Sequence, residues 1–319
     1  MTHELVKKNG VAEMAYTGQA CWHGLGTKLQ QGASIDQWRE AAGMNWTICR
    51  SKVRYVTDLH GTTITMPKQH VLFRSDSSEA LGVVSSKFQV VQPREVLEFF
   101  RDLVEESGFK LETAGTLFGG RKFWALASTG EGQEVLDGDI VKPFLLVSTG
   151  ADGKTKTRVK PVCERVVCHN TLQIALGEIS REVKLSHHSK FNHVEVKRAL
   201  GLMAGGFDSF MDKCRKLAQQ PISDVLAGKF IGELLVENKA ITIEDYQESK
   251  AWKEIMRLFN GAAVGAQFNE GSKWQLVNSV TEYCDHLQKA STESHRLDNA
   301  WFGKGDFIKS AAFQKALAA

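Results

Sequence analysis

The chain has 319 residues, 42% of them hydrophobic and 24% charged, with 40 basic against 37 acidic side chains. That mix excludes a mainly disordered chain, a collagen-like repeat and a small disulfide scaffold. No apolar run approaches the roughly 20 residues of a membrane span, so no membrane partner is expected.

Residues 1–8 hold no apolar signal core, and the six cysteines are scattered along the chain. The expectation is a protein with reduced thiols in the cytoplasm. The net charge of +3 points to no partner by itself, but its distribution is uneven. Residues 141–200 carry 11 basic and 5 acidic side chains and four of the ten histidines.

The predicted elements begin after a Gly/aromatic stretch at residues 18–27. A short helix fits 34–42, with Ser34 as N-cap and Gly43 at its stop. Trp46, Ile48, Val53, Tyr55 and Val56 predict a strand over 46–56. Two further strands, 62–66 and 70–74, are separated by Pro67, which marks an edge or break. Pro93 suits the first turn of a helix over 92–107, whose apolar face is Val96, Phe100, Leu103 and Val104. Two β-rich runs, 109–118 and 121–128, flank Gly119-Gly120 and predict a hairpin. A second hairpin joins 143–149 to 154–162 across Gly150-Ala151-Asp152-Gly153. A helix is expected over about 164–177, and helical patterning dominates from about 194, over 194–218, 243–259, 273–290 and 306–317.

This order predicts an α+β fold. A β-rich antiparallel core has hairpins packed on helices, including a β-β-β-α-like element, and a mostly helical C-terminal region follows. The expected domains are 1–193, with a basic groove, and 194–319.

Three features suggest chemistry. In the run Lys154, Lys156, Arg158, Lys160 every second residue is cationic. On a strand these would form a comb along one face, suited to a phosphodiester backbone read without its bases. The helix expected next would carry Arg165, His169 and Gln173 in a polar row, with Asn170 beside it. Comb and row would line a shared groove. At the first hairpin tip Arg121, with Trp124 and Phe118, is placed to add stacking.

Other sets are weaker. Cys163, Cys168, His169, His187, His188 and His193 lack zinc spacing, so no metal is assigned. Cys21-Trp22-His23-Gly24 offers a thiol without a positioned base or oxyanion site, so no catalytic residue is assigned. Asp137-Gly138-Asp139 and Asp152-Gly153 read as turn residues. No cofactor motif occurs.

Residues 22–27, 115–121 and 165–172 resemble the phage- and plasmid-borne proteins grouped as domain of unknown function 932. Residues 274–286, with Asn278, Thr281, Glu282, Tyr283 and Asp285, are similar to that family's C-terminal signature. The resemblance spans nearly the whole chain and implies a phage, prophage or conjugative-plasmid context. A second likeness, over about 90–180, lies in element order and charge placement. It is similar to the β-β-β-α core of single-strand annealing recombinases of the Red-beta, RecT and Rad type. That likeness implies homo-oligomers holding one strand in a basic groove, although this chain has a longer N-terminal β region and a longer helical tail.

The leading expectation is a non-enzymatic nucleic-acid-binding protein of a phage or plasmid that binds or anneals single-stranded DNA. The alternatives are a mobile-element protein that blocks a host defence system by binding a host protein, and a metal-dependent nucleic-acid hydrolase.

Overall fold

A computed structural model describes residues 7–8, 11–18, 26–58, 60–165, 170–173, 183–185, 203–237 and 246–319. The strands and helices of its first part run β1 (Lys7–Lys8), β2 (Val11–Ala12), β3 (Met14–Tyr16), β4 (Thr27–Lys28), α1 (Ile35–Ala41), β5 (Ile48–Val56), β6 (Thr63–Arg74), β7 (Ala80–Ser85), α2 (Pro93–Ser107), β8 (Lys110–Leu117) and β9 (Lys122–Ser128). Then come β10 (Gln133–Glu134), β11 (Ile140–Gly150), β12 (Thr157–Arg165), β13 (Asn170–Gln173) and β14 (Val183–Leu185). The remainder is helical: α3 (Met203–Ala218), α4 (Asp224–Glu237), α5 (Lys250–Arg257), α6 (Lys273–Glu282), α7 (Glu293–Phe302) and α8 (Lys304–Ala318). The fold is therefore α+β, as the sequence predicts. Among the described residues no helix is long and apolar enough to cross a membrane.

The chain divides into two compact units that are not consecutive in sequence. The first holds Met1–Thr129, Leu145–Lys160 and Glu182–Leu200; the second holds Gly130–Phe144, Pro161–Arg181 and Gly201–Ala319. A single cut at 193/194 does not describe them, because β11 and β12 each begin in one unit and end in the other.

In the first unit, α1 starts where Ser34 predicts. Ser34 Oγ accepts from Gln37 N, and Gln37 Oε1 accepts from Ser34 N at 2.8 Å, a reciprocal cap. Strands β8 and β9 form the predicted hairpin, joined by a tight turn over Phe118–Gly120. Helix α2 packs on both strands and buries Val96, Leu97, Phe99 and Phe100. Strand β3 continues the sheet beyond β8, antiparallel to it, and β4 follows parallel to β3. A separate three-stranded sheet has the order β5-β6-β7. Here β6 is one strand where the sequence predicts two. Pro67 interrupts its register without ending it, because the pairing with β5 resumes on both sides.

A buried charge cluster ties these parts together. Arg74 Nη2 donates to Glu13 Oε1 at 2.8 Å and Nη1 to Glu13 Oε2 at 3.0 Å, while Nε donates to Asp76 at 2.9 Å. Its guanidinium carbon lies 4.3 Å from the centroid of the Trp46 ring. Thr116 Oγ1 donates to the same Glu13 carboxylate. Burial disfavours the Arg74 charge, but the bonds to Glu13 and Asp76 outweigh it and raise the pKa above its ordinary value. Gly120 closes the cluster: at φ +88° a Cβ here would stand 2.6 Å from the Trp46 ring.

In the second unit α6 is buried along nine consecutive residues, Trp274 to Glu282. Four of these are neutral polar residues, so the helix must satisfy them internally. Asn278 Nδ2 donates to Trp274 O, Ser279 Oγ to Gln275 O and Thr281 Oγ1 to Val277 O, each bond returning one turn. Gln275 Nε2 instead reaches the Phe259 carbonyl at 2.7 Å. Around α6 pack Phe210 and Met211 of α3, Ile231 and Leu234 of α4, and Phe313 of α8. Phe210 and Phe313 stack at 5.0 Å. Below α6, Lys309 and Asp285 make a buried ion pair at 2.5 Å. Helices α4 and α7 are absent from the predicted pattern, and the predicted 243–259 helix shortens to α5.

Replacing Arg74 by Met is expected to destabilise the protein by about 3–5 kcal/mol, because it leaves the Glu13 carboxylate buried without its cation. Urea unfolding monitored by circular dichroism measures this.

Candidate functional site

The first candidate surface is built from two hairpin tips of the first unit. Strand β12 begins only at Thr157, so Lys154 and Lys156 lie in the loop before it. Asp152 shapes that loop: its Oδ1 accepts from Lys154 N at 2.8 Å and Thr155 N at 2.7 Å, and its Oδ2 from Thr155 Oγ1 at 2.8 Å. Burial opposes ionisation of Asp152, but these bonds outweigh it and hold its carboxyl below the ordinary range. Asp152 is thus a turn residue, as its Asp-Gly context suggests.

The loop is anchored on two sides. Ala151 N donates to the carbonyl of Arg121, at the β8–β9 tip, at 2.8 Å. On the other side Gly82 of β7 approaches so closely that a Cβ on it would stand 2.7 Å from the Asp152 backbone. The side chains of Arg121, Lys154 and Lys156 are all exposed. Two cationic tips are therefore clamped side by side, with the Glu79 carboxylate near Gly119 as the neighbouring acid.

The expected comb is corrected. Its spacing requires an extended strand from Lys154, and the Asp152 turn removes Lys154 and Lys156 from that strand. Lys160 is buried and Arg158 half-buried. The reason is topological: β12 is an interior strand, with β11 on one edge and β13 and β14 on the other. The same reasoning removes Trp124 from any stacking role. Strand β9 is interior, between β8 and β11, and both Phe123 and Trp124 are completely buried. Arg121 alone of that tip pair is exposed.

The expected helix at 164–177 is also corrected. Residues 170–173 are strand β13, which pairs back on β12 with Val162 opposite Gln173 and Arg165 opposite Asn170. Arg165 lies on β12 and Gln173 on β13, so these two do not share a helix face. His169 lies outside the described residues. Asn170 lies on β13 in the second unit, whereas Lys154 and Lys156 belong to the first.

Arg165 is committed to a buried ion pair. Its Nε donates to Asp139 Oδ1 at 2.6 Å, Nη2 to the Gly265 carbonyl at 2.9 Å and Nη1 to the Val264 carbonyl at 3.3 Å. The second oxygen of Asp139 accepts from Trp274 Nε1 at 3.0 Å and Asn269 Nδ2 at 3.1 Å. Asp139 is 0% exposed and Arg165 3%. Spacing gave no sign of this hub, because the partners of Asp139 stand 26, 130 and 135 residues away.

Glu282 stands beside it and accepts from Val264 N at 3.1 Å. Burial pushes its carboxyl above the ordinary range, although that bond and the charges of Arg165 and Arg257 pull the other way; Glu254 adds to the rise. Cys163 and Cys214 are buried thiols, and burial raises the latter well above the ordinary thiol range. Among the described residues no group of three His, Cys, Asp or Glu is placed to hold a metal ion. Cys168, His187, His188 and His193 lie outside them.

A family model described as Domain of unknown function (DUF932) matches residues 80–301. No curated protein and no solved structure matches the chain significantly. The likeness to annealing recombinases finds no support, and residues 170–173, expected within its helix, are a strand paired with β12.

Two predictions separate scaffold from surface in this region. Arg165→Ala should cost about 3–5 kcal/mol in urea unfolding, since it strands a buried carboxylate, while Lys154→Ser should stay within about 0.5 kcal/mol of the parent. Glu282→Gln mimics the protonated acid. Because burial raises the folded-state value, the native acid loses stability as pH rises from the ordinary glutamate range through that raised value. The Gln variant should therefore match the parent near pH 4 and melt at higher temperature near pH 7.

Proposed function

The chain belongs to the Domain of unknown function (DUF932) family, and we propose that it is a non-enzymatic nucleic-acid-binding protein of a phage or plasmid, with single-stranded DNA as the favoured ligand. The contact surface is the pair of clamped tips, with Arg121, Lys154 and Lys156 neutralising phosphates. The observation that supports this is the 2.8 Å bond from Ala151 N to the Arg121 carbonyl, which holds the two cationic tips together. Loops held together by their backbones lose less loop freedom on binding than independent loops.

Such a surface engages the phosphate backbone, so its binding is electrostatic and tolerant of sequence. This is a smaller footprint than a four-charge comb on one strand. It lies entirely within one unit, and the buried Lys160 and Trp124 of that unit take no part in it.

The test is a titration of the full chain with a labelled 20-nucleotide single strand and with its duplex, at two salt concentrations. The parent should bind with an affinity that falls with salt. The variant with Arg121, Lys154 and Lys156 all replaced by Ser should lose most of that affinity, and its salt dependence should be shallower by about 2 in log–log slope, at about 0.7 per phosphate. Unchanged binding by a folded triple variant would remove the tips from the interface.

A further inference from the structure

The β5–β6 hairpin carries a second surface that the tips do not use. Its base, Ile48 to Lys52 against His70 to Arg74, is part of the three-stranded sheet. Beyond Lys52 the register breaks. Lys52 faces His70 but Arg54 faces Thr65, so Val53 stands opposite residues 66–69. Pro67 lacks a ladder donor there, and Lys68 takes a left-handed φ of +59°. Past this bulge Arg54, Tyr55 and Val56 pair with Thr65, Ile64 and Thr63, and β7 pairs no further out than Gln69.

This outer ribbon is open to solvent on both faces. Paired residues of an antiparallel ribbon share a face. Tyr55 and Ile64 therefore lie on one face, and Arg54 and Val56 on the other with Thr65 and Thr63. Tyr55 is 50% exposed, Val56 62%, Ile64 39% and Met66 44%. A two-stranded ribbon is marginal in water by itself, and so much exposed apolar surface on one marks a contact site.

Charge identifies the occupant. Arg50, Lys52 and Arg54 alternate along β5, all exposed, and Lys68 follows at the bulge. Asp58 near the tip is the only acid between residues 48 and 74. Arg50 Nη2 is tied to the Phe88 carbonyl at 2.5 Å, which leaves Lys52, at the outer end of the base, and Arg54, on the ribbon, as the β5 cations beside the exposed apolar residues. The position fits as well. Gly82 of β7, against which the Asp152 loop rests, pairs with Leu72, and Leu72 with Arg50 at the hairpin base, so that base lies two strand spacings, about 10 Å, from the loop's anchor and the arm extends outward from it.

We propose that the β5–β6 arm is a second nucleic-acid contact, in which Lys52 and Arg54 hold phosphates and Tyr55, flanked by Ile64, stacks on a base. The proposal rests on the nucleic-acid reading of the tips and adds to it the element that touches bases. A ribbon of this width also fits the major groove of a duplex, so the duplex arm of the experiment decides which form it accepts.

The experiment titrates the full chain with a labelled 20-nucleotide thymidine strand and with a duplex of equal length at two salt concentrations, with sedimentation of each sample. The proteins are the parent, Lys52→Ser with Arg54→Ser, Tyr55→Ser, Tyr55→Phe and the tip triple variant. Every arm substitution is at an exposed site, and thermal melts check that each variant folds. Tyr55→Ser should weaken binding at least about 5-fold with an unchanged salt slope, and Tyr55→Phe should restore it. The Lys52/Arg54 variant should lower the slope by about 1.4. If arm variants bind like the parent while the tip variant fails, the arm proposal is overturned and the tip reading stands. If they lose assembled mass but keep affinity, the arm joins copies of this chain and the proposal is equally overturned. A parent that binds neither oligonucleotide overturns both readings.

Discussion

The second unit is organised around one carboxylate that cannot reach water. Asp139 is fully buried, and an ion in that position costs several kcal/mol unless charge and hydrogen bonds answer it. Arg165 supplies the charge, and Trp274 and Asn269 supply neutral donors to the second oxygen. Satisfying Asp139 thereby brings together the start of β11, the end of β12, the loop before α6 and α6 itself. Arg165 then spends its remaining donors on the carbonyls of Val264 and Gly265. A pair of this kind is weak evidence for stability relative to an apolar core, but losing one partner leaves the other charge buried without an answer.

The same logic recurs in the first unit with different chemistry. Glu13 and Asp76 flank Arg74, and Trp46 covers the guanidinium face. Both clusters join segments far apart in sequence, and the pairs at their centres, Asp139–Arg165 and Glu13–Arg74, are buried. Charge in this chain thus serves two purposes that composition cannot separate. Some cations, such as Arg74, Arg165 and Lys309, hold the interior together. Others, such as Arg121, Lys154 and Lys156, remain at the surface where a polyanion can reach them. The proposed function draws only on the second group, so substitutions at its residues leave folding intact and isolate binding.

The stretch 274–282, inside the span that the family model matches, acquires a physical reading from α6. Its polar residues, which on a surface helix would suggest a binding face, are buried and bonded to carbonyls one turn back. Gln275 instead ties the helix to the Phe259 carbonyl and the Gly271 amide. This stretch is therefore the central strut of the helical unit.

The sequence by itself determined the α+β order, the cap at Ser34, the β8–β9 hairpin, the Asp152 turn and the helical tail, because each depends on neighbours within a few residues. It also carried the alternation Arg50, Lys52, Arg54, a signal as clear as that at 154–160 but masked by the more basic segment. Tertiary structure decided which cations face water. Lys160, Arg165 and Trp124 look like surface residues by local pattern, yet β9 and β12 are interior strands with partners on both edges, and Asp139 claims Arg165 from 26 residues away. Strand and helix compete closely over 164–177, where β-branched and helix-favouring residues mix, and pairing with β12 settles 170–173 as strand. Local periodicity reports the conformation a segment prefers, whereas burial depends on which other segments arrive beside it.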